Sequence, residues 1–312
     1  MNITKSNLDA LFTTFQTKFN EAQKAAQTRA YDNDLIPEDV AMTFLGGGSA
    51  TEHGWIEQLH GIHEWVGARV INNAKLGKLT VVNRDFENTV SVPRNAIEDD
   101  NYGVYAPLIG MMGSDAENLW KKLCLEALLG NGEWADGNPF FCAGRTLGAS
   151  TITNAVTTAL SKAAVETAIA AMRGWTLYGG EPGEVRPDVL VVGPSLEATA
   201  KLICEADLVA DNGATVSNVS PAKALKVRVS QQLVGSHANE WYLCGDKNGV
   251  KPVGVQKRKL PVLTRKDGET DDNTFMRNEY LYGVHARGEG FLTLPFLCYK
   301  GGAASVADWA EK

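Results

Sequence analysis

From Pro107 to Ala127 the chain keeps an unbroken helical period, with Leu108, Ile109, Met112, Ala116, Leu119, Trp120, Leu123 and Ala127 recurring at helical spacing. Pro107 suits a first turn, where its missing N–H is not needed, and Gly130-Asn131-Gly132 tolerates the left-handed turn that closes a helix. The spacing predicts one helix of about six turns. Such a helix is stable mainly through the body its apolar stripe lies against, so the rest of the chain must supply that body.

The N-terminal stretch opens with a helix start at Ser6 and Asp9, followed by Leu8, Leu11, Phe12, Phe15, Phe19 and Ala22 at helical spacing. It runs into Tyr31-Asp32-Asn33-Asp34, Pro37 and Gly46-Gly47-Gly48, which lack periodicity and read as a flexible or extended arm. The first 50 residues are expected to depend on partners outside themselves. Trp55 to Trp65 is an aromatic segment split by Gly61 and reads as an anchor. Val66–Ile71 and Leu79–Asn83 flank a polar tip, Asn72 to Lys78, and predict a long hairpin, with Thr89–Val92 as a strand returning toward Pro93.

Beyond the long helix and a glycine-rich loop from Asp136 to Ser150, Ser161 caps a second helix carrying Val165, Ala168, Ile169 and Met172 and ending near Gly174. Asp188–Gly193 is a buried strand, and Pro194-Ser195 opens a helix that turns Leu196, Ala200 and Ile203 inward. With strands at Lys226–Ser230 and Trp241–Cys244 this makes a compact α/β unit. Val253–Val262, Tyr280–Arg287 and Phe291–Tyr299, joined by a charged loop from Lys266 to Asn273, predict an antiparallel sheet.

Charge limits what such a chain can bind. A net charge of −7 over 312 residues argues against tight nucleic-acid binding, which needs clustered Lys and Arg. The start Met1-Asn2-Ile3-Thr4-Lys5 lacks the pattern of a secretory signal, and no apolar run approaches a membrane span. Cys124, Cys142, Cys204, Cys244 and Cys298 are odd in number and without a CxxC pair, which predicts reduced core thiols.

Sharper chemical readings are weak. His60, His63, Glu57 and Glu64 lack the i, i+4 spacing and third ligand of a zinc helix. Glu98-Asp99-Asp100 and Asp271-Asp272 have no basic or nucleophilic partner at an informative spacing. Gly46-Gly47-Gly48-Ser49 is not a phosphate loop, Gly193-Pro194-Ser195 is not a nucleophile elbow, and Cys142, His237 and Asn239 match no thiol-hydrolase signature. No cofactor or metal is expected. Trp55, Trp65 and Trp134 fit core and interface roles equally.

The ordered set Gly54-Trp55-Ile56-Glu57-Gln58-Leu59, Glu64-Trp65-Val66-Gly67, Phe86 to Val92 and Ile97 to Leu108 resembles the Mu-like prophage major head subunit family, as does Gly137-Asn138-Pro139-Phe140-Phe141. The resemblance is dense over roughly the first 140 residues and rests mainly on element order after them. That family is similar to the Hong Kong 97 capsid fold, an α+β architecture with an N-terminal arm, an extended loop, a peripheral domain with a spine helix and an axial domain. It implies an arm at 1–50, the extended loop and its flanks at 51–100, peripheral domain at 101–160 and 252–312, and axial domain at 161–251.

The function it implies is a major capsid protein, not an enzyme, forming pentamers and hexamers of an icosahedral head in the host cytoplasm. Scaffold, portal and decoration proteins are the implied partners, with packaged DNA held only weakly and no membrane. Asn72, Asn73, Lys75, Gly77, Lys78, Arg84 and Phe86 are the candidate assembly-interface residues. Lys75 and Lys78 lie near the tip, where some phages of this fold carry a cross-linking Lys, but the match there is not residue by residue. An encapsulin-like nanocompartment shell and a soluble α/β hydrolase are the alternatives; a closed shell with fixed-ratio cargo, or a small oligomer with a polar pocket, would distinguish them.

Overall fold

The structure is a computed structural model, and it describes residues 4–28, 31–46, 48–56, 76–99, 101–147, 150–177, 180, 182–211 and 214–310. Its N-terminal part holds helix α1 (Lys5–Ala26), the single turn α2 (Pro37–Val40) and strand β1 (Ala41–Leu45). Strands β2 (Ala50–Ile56) and β3 (Leu76–Val82) follow, and Asn83 alone separates β3 from β4 (Arg84–Pro93). After α3 (Arg94–Glu98) comes the long helix α4 (Tyr105–Gly130), then the short strands β5 (Cys142–Ala143), β6 (Arg145–Leu147) and β7 (Ser150–Ile152). The middle contributes α5 (Lys162–Gly174), β8 (Arg186–Val192), α6 (Glu197–Cys204), β9 (Leu208–Asp211), β10 (Ala214–Ser217), β11 (Lys226–Val229) and β12 (Trp241–Asp246). The chain closes with β13 (Val253–Lys266), α7 (Asp272–Arg277), β14 (Glu279–Leu292), β15 (Cys298–Gly301) and β16 (Ala307–Asp308).

Helix α4 spans 26 residues and ends on Asn131 in the left-handed conformation, φ 45°, as its closing residues predict. It buries Ile109, Met112, Ala116, Trp120 and Leu123, whereas Leu108, expected to face inward, is 42% exposed. Its partner is a four-stranded sheet in the order β1-β13-β14-β4. Along β14 burial alternates, so that Tyr280, Tyr282, Val284 and Ala286 face the core and His285 and Arg287 the other side. Helix and sheet approach closely at Gly290, where a Cβ would stand 2.2 Å from the Leu123 carbonyl oxygen; no other residue type fits.

The described part of the first fifty residues is packed rather than a loose arm. Leu8, Leu11, Phe15 and Phe19 of α1 are buried in one cluster with Ile109 and Met112 of α4 and Tyr282 and Val284 of β14. Strand β1 pairs in parallel with β13 from Ala41↔Val253 to Leu45↔Lys257, so the segment read as extended is an edge strand of the main sheet. Asp34 forms a parallel bridge to Val229, and Arg228 pairs with Asp39 at 3.2 Å. Pro37 and Gly46 are therefore breaks between packed elements, and the partners that make them so lie far along the chain. Leu11→Ala will destabilise the subunit by about 2–3 kcal/mol. A denaturant midpoint unchanged by that substitution would restore the free-arm reading.

A second sheet has the order β11-β8-β12-β15. Strands β8 and β11 are parallel and joined through α6, while β12 runs antiparallel to β8. Leu190 and Val192 of β8 face a core with Val165, Ala168, Ile169 and Met172 of α5 and Ala200 and Ile203 of α6. Val189 and Val191 face the opposite core, shared with Trp120, Leu123 and Leu128 of α4. Burial on both faces explains why β8 reads as a continuous apolar run rather than an alternation. Ser161 caps α5 as expected, its side chain accepting from the Ala164 N–H.

Two expectations for the C-terminal third are corrected. The run Phe291–Tyr299 is not one strand: β14 ends at Leu292, a 3-10 turn occupies Pro295–Leu297, and β15 pairs with β12 in the second sheet. Pro295 has no N–H for a ladder, so the chain breaks there and changes sheets. The charged loop from Lys266 is likewise followed by α7, which begins at Asp272.

Candidate assembly interface

Strands β2 and β3 form a two-stranded antiparallel ribbon, in register from Ala50↔Val82 to Ile56↔Leu76. The hairpin is thus present with a different first strand: Ala50–Ile56 pairs with β3, where Val66–Ile71 was expected to. Val66–Ile71 and the tip residues Asn72, Asn73 and Lys75 lie outside the described residues, as do Trp65 and His60, His63, Glu57 and Glu64. Gly77 and Lys78, expected at the tip, are instead inside β3, opposite Trp55 and Gly54. Alternation and β propensity are the same on either side of a register choice, so the local pattern could not select the partner strand.

Arg84 and Phe86 are brought together at the base of the ribbon, at the start of β4. The guanidinium of Arg84 lies 5.3 Å from the Phe86 ring centroid and donates from Nη2 to Glu126 Oε2 at 2.9 Å and to Glu289 Oε1 at 2.8 Å. These hydrogen bonds to Glu289 and Glu126 push its pKa further up, against the smaller effect of burial. Arg84 is therefore a strut between β4, β14 and α4 of its own chain. Phe86 is half-buried and lines an open groove of about 400 Å3 beside α4, with Met112, Leu119, Pro261 and Ala286.

The sheet face away from α4 is polar. Asp85 accepts from His285 Nε2 at 3.0 Å and faces Arg287 Nε at 3.4 Å, and Lys259 Nζ lies 2.8 Å from His285 Nδ1. His285 thus carries its proton on Nε2 and accepts at Nδ1. Asp85 and His285 are well exposed, with side-chain values of 59% and 43%, so this row has room for another surface.

The residues of the discarded catalytic readings have structural duties. Burial pushes the Cys142 thiol up, away from a reactive thiolate, and all five cysteines are buried and free. His237 Nδ1 lies 3.0 Å from Glu240, and Ser195 Oγ donates to the Ala238 carbonyl at 2.9 Å. Asp271 accepts from the Gly268 N–H, Glu98 accepts from Arg94 Nε, and Trp134 is a core residue whose Nε1–H donates to the Thr293 carbonyl. Among the described residues no group of His, Cys, Asp and Glu converges as metal ligands do, and no helix is long and apolar enough to cross a membrane.

A long helix under an antiparallel-dominated sheet, a two-stranded ribbon and a second α/β unit together make the Hong Kong 97-like capsid fold, an α+β architecture. A chain from the procapsid of bacteriophage JBD30 superposes with a TM-score of 0.55, at 23% identity, over 99% of this chain and 78% of its own length. The model of the family "Mu-like prophage major head subunit gpT" matches residues 8–159, 143–225 and 219–304, and the chain belongs to that family. The major head subunit of the Mu-like prophage FluMu of Haemophilus influenzae is 24% identical, covering 93% of this chain and 72% of that protein. The major capsid protein of Escherichia phage Mu is 23% identical, covering 93% of this chain and 73% of that protein. The chain is accordingly a head subunit, a structural component of the virion shell rather than an enzyme.

Proposed function

We propose that copies of this chain assemble into pentamers and hexamers of an icosahedral head that encloses DNA, each copy laying its ribbon across neighbours. The observation that carries this reading is that, among the described residues, β2 and β3 pair in a sheet only with each other. A two-stranded ribbon is marginal alone in water, so contact with adjacent copies is its natural source of order. Many modest contacts per subunit then give a stable wall while leaving misplaced copies free to dissociate.

In this reading α4 with β13 and β14 belongs to the peripheral domain (101–160 and 252–312), whose sheet is completed by β1 from the arm (1–50) and β4 from the flank of the extended loop (51–100), and β8, β11 and β12 with α5 and α6 form the axial domain (161–251). Strand β15 ties the two together. Asn72, Asn73, Lys75, Gly77 and Lys78 make contacts between copies, and Arg84 and Phe86 fix the start of β4, from which the ribbon leaves the sheet. Scaffold, portal and decoration proteins join during assembly in the host cytoplasm. The acidic balance keeps binding to packaged DNA weak.

Electron microscopy with light scattering on the purified protein tests the reading. Closed megadalton shells, or rings of five and six subunits, are expected; a monomer that persists at high concentration overturns it.

A further inference from the structure

Gln256 does not belong where the strand pattern puts it. It lies in β13 within the apolar run Val253-Gly254-Val255, and it is fully buried. Burying an amide is costly unless both of its ends are hydrogen-bonded, and here both are. Gln256 Nε2 donates to Asn83 Oδ1 at 2.8 Å, which leaves Oε1 to accept from His53 Nε2 at 2.9 Å. The donor order requires the His53 proton to be on Nε2.

The two partners of Gln256 grip the two strands of the ribbon. His53 is in β2, with its ring stacked on Phe291 at 4.5 Å and edge-on to Phe44 at 4.9 Å. Asn83 is the joint between β3 and β4, and it continues the chain of bonds: its Nδ2 donates to the Gly48 carbonyl at 2.9 Å and its backbone N–H to the Ser49 carbonyl at 3.0 Å. Gly46 leaves the room this needs, since a Cβ there would lie 3.0 Å from Gln256 Cγ. Apolar packing is non-directional and would tolerate many tilts of the ribbon, whereas a chain of donor–acceptor pairs on both strands tolerates one.

We infer that His53, Gln256 and Asn83 form a polar lock that sets the angle at which the ribbon leaves the main sheet, aiming it before it meets another copy. The lock is a property of the single subunit; its consequence for assembly rests on the proposed role of the ribbon as a lap between copies.

Hydrogen exchange on the unassembled full chain tests it. In Gln256→Met, which keeps the volume and removes both bonds, amides of 50–56 and 76–82 should exchange about tenfold faster or more, while those of α4 and β14 hold their parental rates. His53→Phe keeps the ring stack, loses the bond and lies at the ribbon, so it carries the test if Gln256→Met fails to fold. Gly46→Ala, which crowds Gln256, should move the same amides. Parental ribbon exchange in a folded Gln256→Met or, failing that, in His53→Phe overturns the lock, whatever the shell yield. Fast ribbon exchange with normal shells would uphold the lock and remove the assembly role instead.

Discussion

Replacing residues 57–75 by a short Gly-Ser linker between β2 and β3 will leave a subunit with the parental unfolding transition and reduce closed shells to less than about a tenth of the parental yield. The described residues already pack a body without it: α1, α4 and the four-stranded sheet share a buried cluster, and the second sheet is packed on both faces. Losing even about 1.4 kcal/mol from one contact is a tenfold effect, and a shell repeats the loss at every copy. Particle counts by electron microscopy and sedimentation read the yield, and a thermal melt reads the body. Normal heads from the shortened chain would remove residues 57–75 from the assembly interface.

Asp136→Ala should cost about 3–5 kcal/mol of subunit stability, because it strands a buried guanidinium. Arg145 is fully buried, and Asp136 is its one carboxylate partner among the described residues; the carbonyls of Pro139 and Phe140 and the Trp134 ring at 5.3 Å also support it. The same carboxylate accepts from Trp309 Nε1 at 3.1 Å, and Asn138 exchanges two hydrogen bonds with Ala310. The loss should therefore also free the C-terminal strand β16 from β5, visible as faster proteolysis after Val306. The comparison is Glu21→Ala, which breaks the exposed pair with Lys18 and should move stability by no more than about 0.5 kcal/mol. Equal midpoints for the two variants would show that the Arg145 site is solvated and not a structural clasp.

Part of the fold around the candidate site is legible in the sequence. The ribbon's second strand, the helix after Pro107 and its stop at Asn131 follow from local pattern, and so does the second α/β unit with its Ser161 cap. What was not visible is who pairs with whom. The apolar and polar alternation around 50–56 is no stronger than that around 66–71, so local pattern does not single out the first strand of the ribbon. Gln256 gives no signal in the sequence, because one polar residue in an apolar strand looks like an interruption until its two partners, one in β2 and one after β3, are beside it.

Periodicity, breakers and caps act over a few residues, and at that range the sequence alone determined the long helix, the α/β unit, the buried thiols and, through its family motifs, a shell protein of the Mu-like kind. The tertiary structure alone decided that α1 and β1 fold back onto their own chain, that β15 crosses to the second sheet, and that the ribbon is held by a buried amide. Those outcomes depend on residues brought together from opposite ends of the chain, where burial and hydrogen-bond geometry, not local propensity, carry the energy.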